Sequence, residues 1–267
     1  MNRTATFWMV GISALLVLSG ATCPVVPSLN VGGTTLPSHA DLTTALEAVV
    51  AVGDSSVNGG LANEMWATIV DRDGVVRVVT FSGDDRGDQW PGSRVISAQK
   101  ANTANAFSHP GLALSTANLY SPVQPGGSLF GLQDSNPVNT DSAYGGDAAL
   151  VGTSADPMVG TKIGGVNVFG GGLPLYDASG TLIGGLGVSG DTSCTDHIIA
   201  WKMRDSLGLD NVPTGVSATG DDNIIHDVTV DAATGHVTSA GGFGHSECDA
   251  TASAIAANLP TDFPIGP

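Results

Sequence analysis

Six histidines, three cysteines and a triple glycine are the places in this 267-residue chain where residue type invites chemistry. Imidazole is the commonest side-chain metal ligand and titrates near neutral pH, so His39, His109, His197, His226, His236 and His245 are all candidates. His197 stands out by position. It follows Gly190-Asp191 and falls one turn into a predicted helix, beside a glycine-rich hairpin. There it is placed to reach a planar ligand lying over Gly170, Gly171 and Gly172, and it is the first choice as metal ligand. His109 follows a second predicted helix and could face the same cleft. For each histidine a solvated or capping role stays open beside ligation. Glycine has no Cβ, so three in succession suit close approach by another group: either a packed helix or a flat ligand.

The cysteines bear on compartment. The first 22 residues carry one early positive charge, Arg3, then an apolar run from Phe7 to Leu18 and small residues after it. That is the pattern of a signal peptide, too short and too weakly flanked for a membrane span. Either Ser19-Gly20-Ala21 marks ordinary cleavage, or Cys23 is a lipidated first residue, although Gly20-Ala21-Thr22 is a poor lipobox. Residues 23–39 are rich in Pro, Gly, Ser and Thr and are expected to form an exposed tether. With Cys23 cleaved off or lipidated, Cys194 and Cys248 remain, and an exported pair is expected to form a disulfide. By loop-closure entropy it would stabilise the fold by roughly 4 kcal/mol. A thiolate ligating a metal is the alternative. The expected location is exported: periplasmic, outer-membrane-tethered or extracellular.

Charge narrows the partners. The formal net charge is −16, from 9 Lys+Arg against 25 Asp+Glu. Such a chain is repelled by phosphate backbones and anionic lipid headgroups, so nucleic acid is not an expected partner. Glycine, at 37 residues, is abundant and aromatics make up only 5 %, which suits tight turns and close helix packing better than an aromatic-rich surface.

The elements that must position these residues follow from periodicity. Residues 40–52 place Leu42, Ala45, Leu46 and Val49 at helical spacing. Residues 65–70 and 75–81 are β-rich, and Asp71-Arg72-Asp73-Gly74 between them is a hairpin turn, lacking the later acidic ligand of a calcium loop. Residues 91–107 predict an Ala-rich helix, ended at His109-Pro110-Gly111. Residues 133–160 are expected to be an irregular insertion. Two short strands, 166–169 and 173–176, flank the triple glycine, and 181–188 is the return strand after the turn at 177–180. Thr192 is the predicted N-cap of a helix running to about Gly208, with Asp196 favouring its dipole and Cys194, Ile198 and Trp201 on one side. Beyond it, residues 222–230 and the turn Ala233-Thr234-Gly235 suggest another hairpin, followed by a loop at 241–248 and a short helix at 250–259. Residues 210–267 look too small and polar to fold alone and are expected to pack on the same domain.

Several familiar motifs are absent. Gly187-Val188-Ser189-Gly190-Asp191 is not a nucleophile elbow, since Asp191 stands where glycine is required. There is no Gly-Lys-Ser/Thr of a P-loop. The Asp84, Asp85 and Asp88 cluster suits a solvated loop better than a cation site, and no carboxylate pair has spacing that argues for acid–base catalysis.

In their order, several segments resemble one family. Residues 170–197, GGGLPLYDASGTLIGGLGVSGDTSCTDH, resemble the GlcG/HbpS haem-binding family, which includes the C-terminal domain of PduO proteins. ATIVDRDGVVRVVTFSGDD (67–85) is similar to its first hairpin, SRVISAQKANTANAF (93–107) to its second helix, and QPGGSLFGL (124–132) to its central glycine loop. The resemblance spans roughly residues 40–209, and 210–267 extend beyond it.

The resemblance implies an α/β (α+β) fold with a profilin-like core: a five-stranded antiparallel sheet with helices packed on its faces. It also implies haem, or another small planar ligand, and a homo-oligomer. Haem needs an apolar slot, an axial ligand and partners for its propionates. His197 and then His109 are the expected iron ligands, with a hydroxyl from residues 115–120 also open. Lys100 and Arg94, on one predicted helix in a chain with few cations, could meet propionates or form surface ion pairs. Phe169, Phe130 and Tyr120 could line the slot or belong to the core. The implied function is haem sequestration, handling or redox sensing. The alternatives are an enzyme of oxidative haem breakdown or small organic acid conversion, for which no positioned residue stands out, and a ligand-free accessory module.

Overall fold

The computed structural model describes residues 30–31 and 34–266; the expected signal segment and Cys23 lie outside them. Helix α1, His39–Val49, begins at a capping box in which the Ser38 backbone N–H donates to Asp41 Oδ2 at 2.9 Å and Ser38 Oγ accepts from the Asp41 N–H. Strands β1, Trp66–Asp71, and β2, Val76–Phe81, form the first hairpin. Its turn is closed by Asp71 Oδ1, which accepts from the N–H groups of Asp73 and Val75. Helix α2 is Ser93–Phe107, strands β3 and β4 are Gly172–Tyr176 and Leu182–Ser189, and helix α3 is Ser193–Ser206.

The sheet order is β2-β1-β4-β3, antiparallel throughout, with Trp66 opposite both Phe81 and Ser189, and Gly172 opposite Gly187. This principal sheet has four strands where five were expected. The segment 166–169, expected to be a strand, gives its hydrogen bonds to side chains: the Asn167 N–H donates to Thr103 Oγ1, and the Phe169 N–H to Asn167 Oδ1. With those donors taken, no ladder forms. Val166 and Val168 instead pack with Leu114, Leu119 and Val123.

Strand alternation sorts the core into two layers. Ala67 and Ile69 face the cluster of Leu42, Leu46, Ile198 and Trp201, whereas Trp66 and Val70 face Val95, Ala98 and Ala101 of α2. Thr68, on the α2 side, meets Ser97 hydroxyl to hydroxyl at 2.7 Å. The glycines of β4 let α2 lie close against the sheet: a Cβ at Gly187 would run into the Ser97 carbonyl oxygen, and one at Gly185 into that of Ala101.

Residues 210–266 pack against α3. They hold a hairpin, β5 (Val228–Val230) with β6 (Val237–Ser239), and helix α4, Ala250–Asp262. Ile224, Ala252, Ala256 and Leu259 share the cluster that contains Ile198 and Trp201. The Trp201 indole N–H donates to the Phe263 carbonyl, and Arg204 makes two 2.7 Å bonds to Asp222. The disulfide Cys194–Cys248 fastens the first turn of α3 to the residue before the N-cap of α4. The segment 133–160 is irregular apart from one short helix, Thr140–Tyr144, and a 3₁₀ turn, Ala148–Leu150.

Candidate functional site

A cleft of about 290 Å³ opens where the first half of α2 meets the end of β4 and the first turn of α3. Trp90 and Phe169 are among its lining residues and are large apolar side chains left in solvent, 51 % and 45 % exposed. Helix α2 contributes Ser93, Ile96 and Lys100, β4 contributes Ser189, and Asp191, Ser193 and Asp196 come from the start of α3.

Lys100, Asp191 and Asp196 carry the charge of this cleft. Lys100 is 2 % exposed, with Nζ 2.6 Å from Asp196 Oδ2 and 3.2 Å from the Val188 carbonyl oxygen. Asp196 Oδ1 accepts from the N–H groups of Gly190 and Asp191, at 3.1 and 2.9 Å. Burial pushes the Asp196 carboxyl up to about 6, against the pull of the Lys100 ammonium and the Asp191 N–H. Burial likewise lowers Lys100, with Asp196 opposing. A buried pair of this kind exists because each charge satisfies the other.

The triple glycine is a packing device. A Cβ at Gly170 would meet the Ser193 carbonyl and lie 3.1 Å from His197 Cβ, and one at Gly172 would strike Thr116 and the Lys100 carbonyl. Gly171 has φ +111°, and a Cβ there would lie 2.8 Å from Asp196 Cβ and 3.1 Å from Lys100 Nζ. Helices fill the space on this side of the glycines, so no room remains for a flat ligand between them and α3. This corrects the expected position of the ligand.

His197 is correspondingly enclosed. It is fully buried, and its Nε2 lies 3.1 Å from the Ile224 backbone nitrogen and 3.2 Å from Asn223 Oδ1. Whichever tautomer is present, that nitrogen is occupied by the C-terminal extension. Nδ1 is buried without a hydrogen-bond partner, and burial depresses the imidazole to about 3. His197 does not line the cleft. His109 is beyond the far end of α2, exposed, with Nδ1 accepting from the Gly111 N–H and its carbonyl accepting from the Tyr176 hydroxyl. Arg94 is buried and committed to Asp156, Nε to Oδ2 at 2.8 Å, and lines a neighbouring depression with Trp66 and Arg86. The hydroxyls of Ser115 and Thr116 are buried and bonded to Asn118 and to the Phe169 carbonyl. Of the expected site residues, Lys100 and Phe169 line the cleft, and the glycines buttress it from behind.

Sequence reasoning missed Trp90, Ser93, Ser189 and the Asp196 partner of Lys100. Trp90, set before Pro91 at a helix start, was the one legible signal. His245 is one of the six candidate histidines, placed behind His197 and His109. That ring is 4.8 Å from Tyr120, itself 6.5 Å from Phe169, and its Nε2 is buried without a partner. Among the described residues, no group of three or more His, Cys, Asp or Glu could hold a metal ion. The acidic loop serves itself: Asp88 accepts from the Asp85 N–H and Asp85 from the Gly87 N–H.

Residues 39–204 match the family model described as haem degrading protein HbpS-like. The chain belongs to the HbpS-like family. Among solved structures, Klebsiella pneumoniae protein ORFY is 25 % identical, covering 62 % of this chain and 84 % of its own, with a TM-score of 0.41. A PduOC:heme complex is 27 % identical over 62 % of this chain and 88 % of its own, with a TM-score of 0.41. A double mutant of Streptomyces reticuli HbpS is 22 % identical over 70 % and 99 %, with a TM-score of 0.38. No curated protein matches. The HbpS-like match ends within α3, so residues 205–267, which cover His197, are this chain's addition to the matched segment.

Proposed function

We propose that this protein binds haem in the cleft flanked by Trp90 and Phe169 and acts in haem sequestration or handling. The observation that carries the proposal is the pair of solvent-exposed aromatic rings on a cleft, in a chain of a family described by haem chemistry. Apolar walls with a few convergent polar groups are the usual make-up of a cofactor site.

The residues present fit the macrocycle better than the iron. Trp90, Phe169 and Ile96 suit an apolar edge, while Ser93, Ser189 and Ser193 offer hydroxyls. The lining holds no imidazole, thiolate or thioether, only these oxygens, the Asp191 and Asp196 carboxylates and the Lys100 amine. Two carboxylates against one ammonium favour a pose with propionates turned to solvent. At about 290 Å³ the cleft holds part of a porphyrin, at the lower end of ligand pockets; a second copy covering the remainder would make the homo-oligomer functional. Bound haem would supply iron redox chemistry, and the chain's own residues would hold and shield it.

We also propose that the protein is exported. The Cys194–Cys248 disulfide supports this, because such bonds persist in oxidising compartments.

The test is a haemin titration of the disulfide-intact protein followed at the Soret band. Saturable one-to-one binding is expected, weakened about tenfold or more by replacing Trp90 and Phe169 together with serine, and unchanged in spectrum by His197→Gln. Binding indifferent to the aromatic pair, or none at all, overturns the proposal.

A further inference from the structure

We propose that Lys100 is a reactive amine that forms an imine with a planar aromatic aldehyde or ketone held between Trp90 and Phe169. This goes beyond haem binding: it assigns to the same cleft an activity that needs no metal.

The geometry points there in three ways. First, Lys100 is a cleft residue although it is nearly buried, so its side chain borders a solvent-connected space. A lysine is a poor nucleophile in water because it is protonated; burial is what makes amines reactive in proteins. Second, Asp196 Oδ2 lies 2.6 Å from Nζ and also lines the cleft, so a proton acceptor and donor is already in contact with the amine. Two of the ammonium hydrogens are engaged, by Asp196 and the Val188 carbonyl, which holds the nitrogen in place. Third, Trp90 and Phe169 on the same lining are exposed aromatic side chains against which a flat carbonyl compound can pack. The hydroxyls of Ser93 and Ser189 on the same lining can donate to a carbonyl oxygen.

The step balances without a redox partner. Asp196 takes a proton from the ammonium; the free amine attacks the carbonyl carbon, forming C–N as the C=O π pair moves to oxygen. A second proton passes from nitrogen through Asp196 to that oxygen, and the hydroxyl leaves as water when a further proton reaches it. Of the three ammonium protons two depart in water, and the third stays between the imine nitrogen and Asp196. The flanking aromatic rings select a flat carbonyl compound.

The chain has three lysines, Lys100, Lys162 and Lys202, which makes the test direct. The disulfide-intact protein is incubated with benzaldehyde and sodium cyanoborohydride, and benzylation of each lysine is followed by peptide mass mapping. Lys100 is expected to be modified at least about tenfold faster than exposed Lys162. Trp90→Ala is expected to slow Lys100 alone. Lys100→Arg retains a cation for Asp196 and is expected to remove the fast site. Modification of Lys162 first, equal rates, or a Lys100 rate untouched by Trp90→Ala overturns the proposal.

Discussion

Lys100 and Asp196, 96 positions apart, meet with Nζ 2.6 Å from Oδ2 and so join α2 to α3 beneath Gly171. Replacing Lys100 with Met leaves a carboxylate buried and unpaired. A stability loss of about 3–5 kcal/mol is expected, read from urea unfolding. Asp196→Asn in the same background, which keeps an acceptor for the Gly190 and Asp191 N–H groups, is expected to recover a large part of it.

Acid weakens the fold through its buried imidazoles. The folded pKa of His197 is depressed from 6.5 to about 3 and that of His245 to about 4, chiefly by burial. The unfolded chain therefore binds more protons between these values, and the stability is full above pH 6.5 and lost as pH falls toward 3. Asp196, raised to about 6, works in the opposite sense between about 6 and 3.8 and offsets only part. Melting temperature is expected to drop between pH 7 and 4.5, and to drop less in His197→Gln.

Reducing the Cys194–Cys248 bond releases a crosslink spanning 54 positions. Loop-closure entropy sets the expected loss at roughly 4 kcal/mol, measured by urea unfolding with and without dithiothreitol. A Cys194→Ser, Cys248→Ser double variant should match the reduced protein and show no further effect of reductant.

Two glycines at positive φ separate backbone strain from packing. Gly180, φ +73°, has no atom within 4 Å of a built Cβ, so Gly180→Ala is expected to cost about 1–2 kcal/mol, the strain alone. Gly171→Ala adds collisions with the Val188 carbonyl and Asp196 and is expected to cost at least about 2 kcal/mol more. Similar unfolding midpoints for the two variants would rule out a packing role for Gly171.

Cutting at the small residues after the apolar run predicts a secreted chain whose mass lacks the first 21 or 22 residues. Retention of Met1 on the protein recovered from its native host would contradict export.

Local pattern determined much of this molecule. The apolar spacing of α1, the Asp71–Gly74 turn, both hairpin partners of the sheet and Thr192, which caps α3 by accepting from the Thr195 N–H, all rest on interactions within a few residues. The pairing of Cys194 with Cys248, 54 positions apart, was legible by parity rather than geometry. What lay beyond the sequence depended on contacts between distant segments. Residues 166–169 have strand composition, yet Thr103 and their own Asn167 capture the backbone donors. His197 sits where the pattern placed it, one turn into α3, but Asn223 and Ile224 close over it, because the extension needs the apolar side of α3 to bury Ile224, Ala256 and Leu259. Lys100 found its partner only when α2 and α3 docked over glycines that admit no side chain. Periodicity reports which face of an element is buried; only the packed fold decides what that face is buried against.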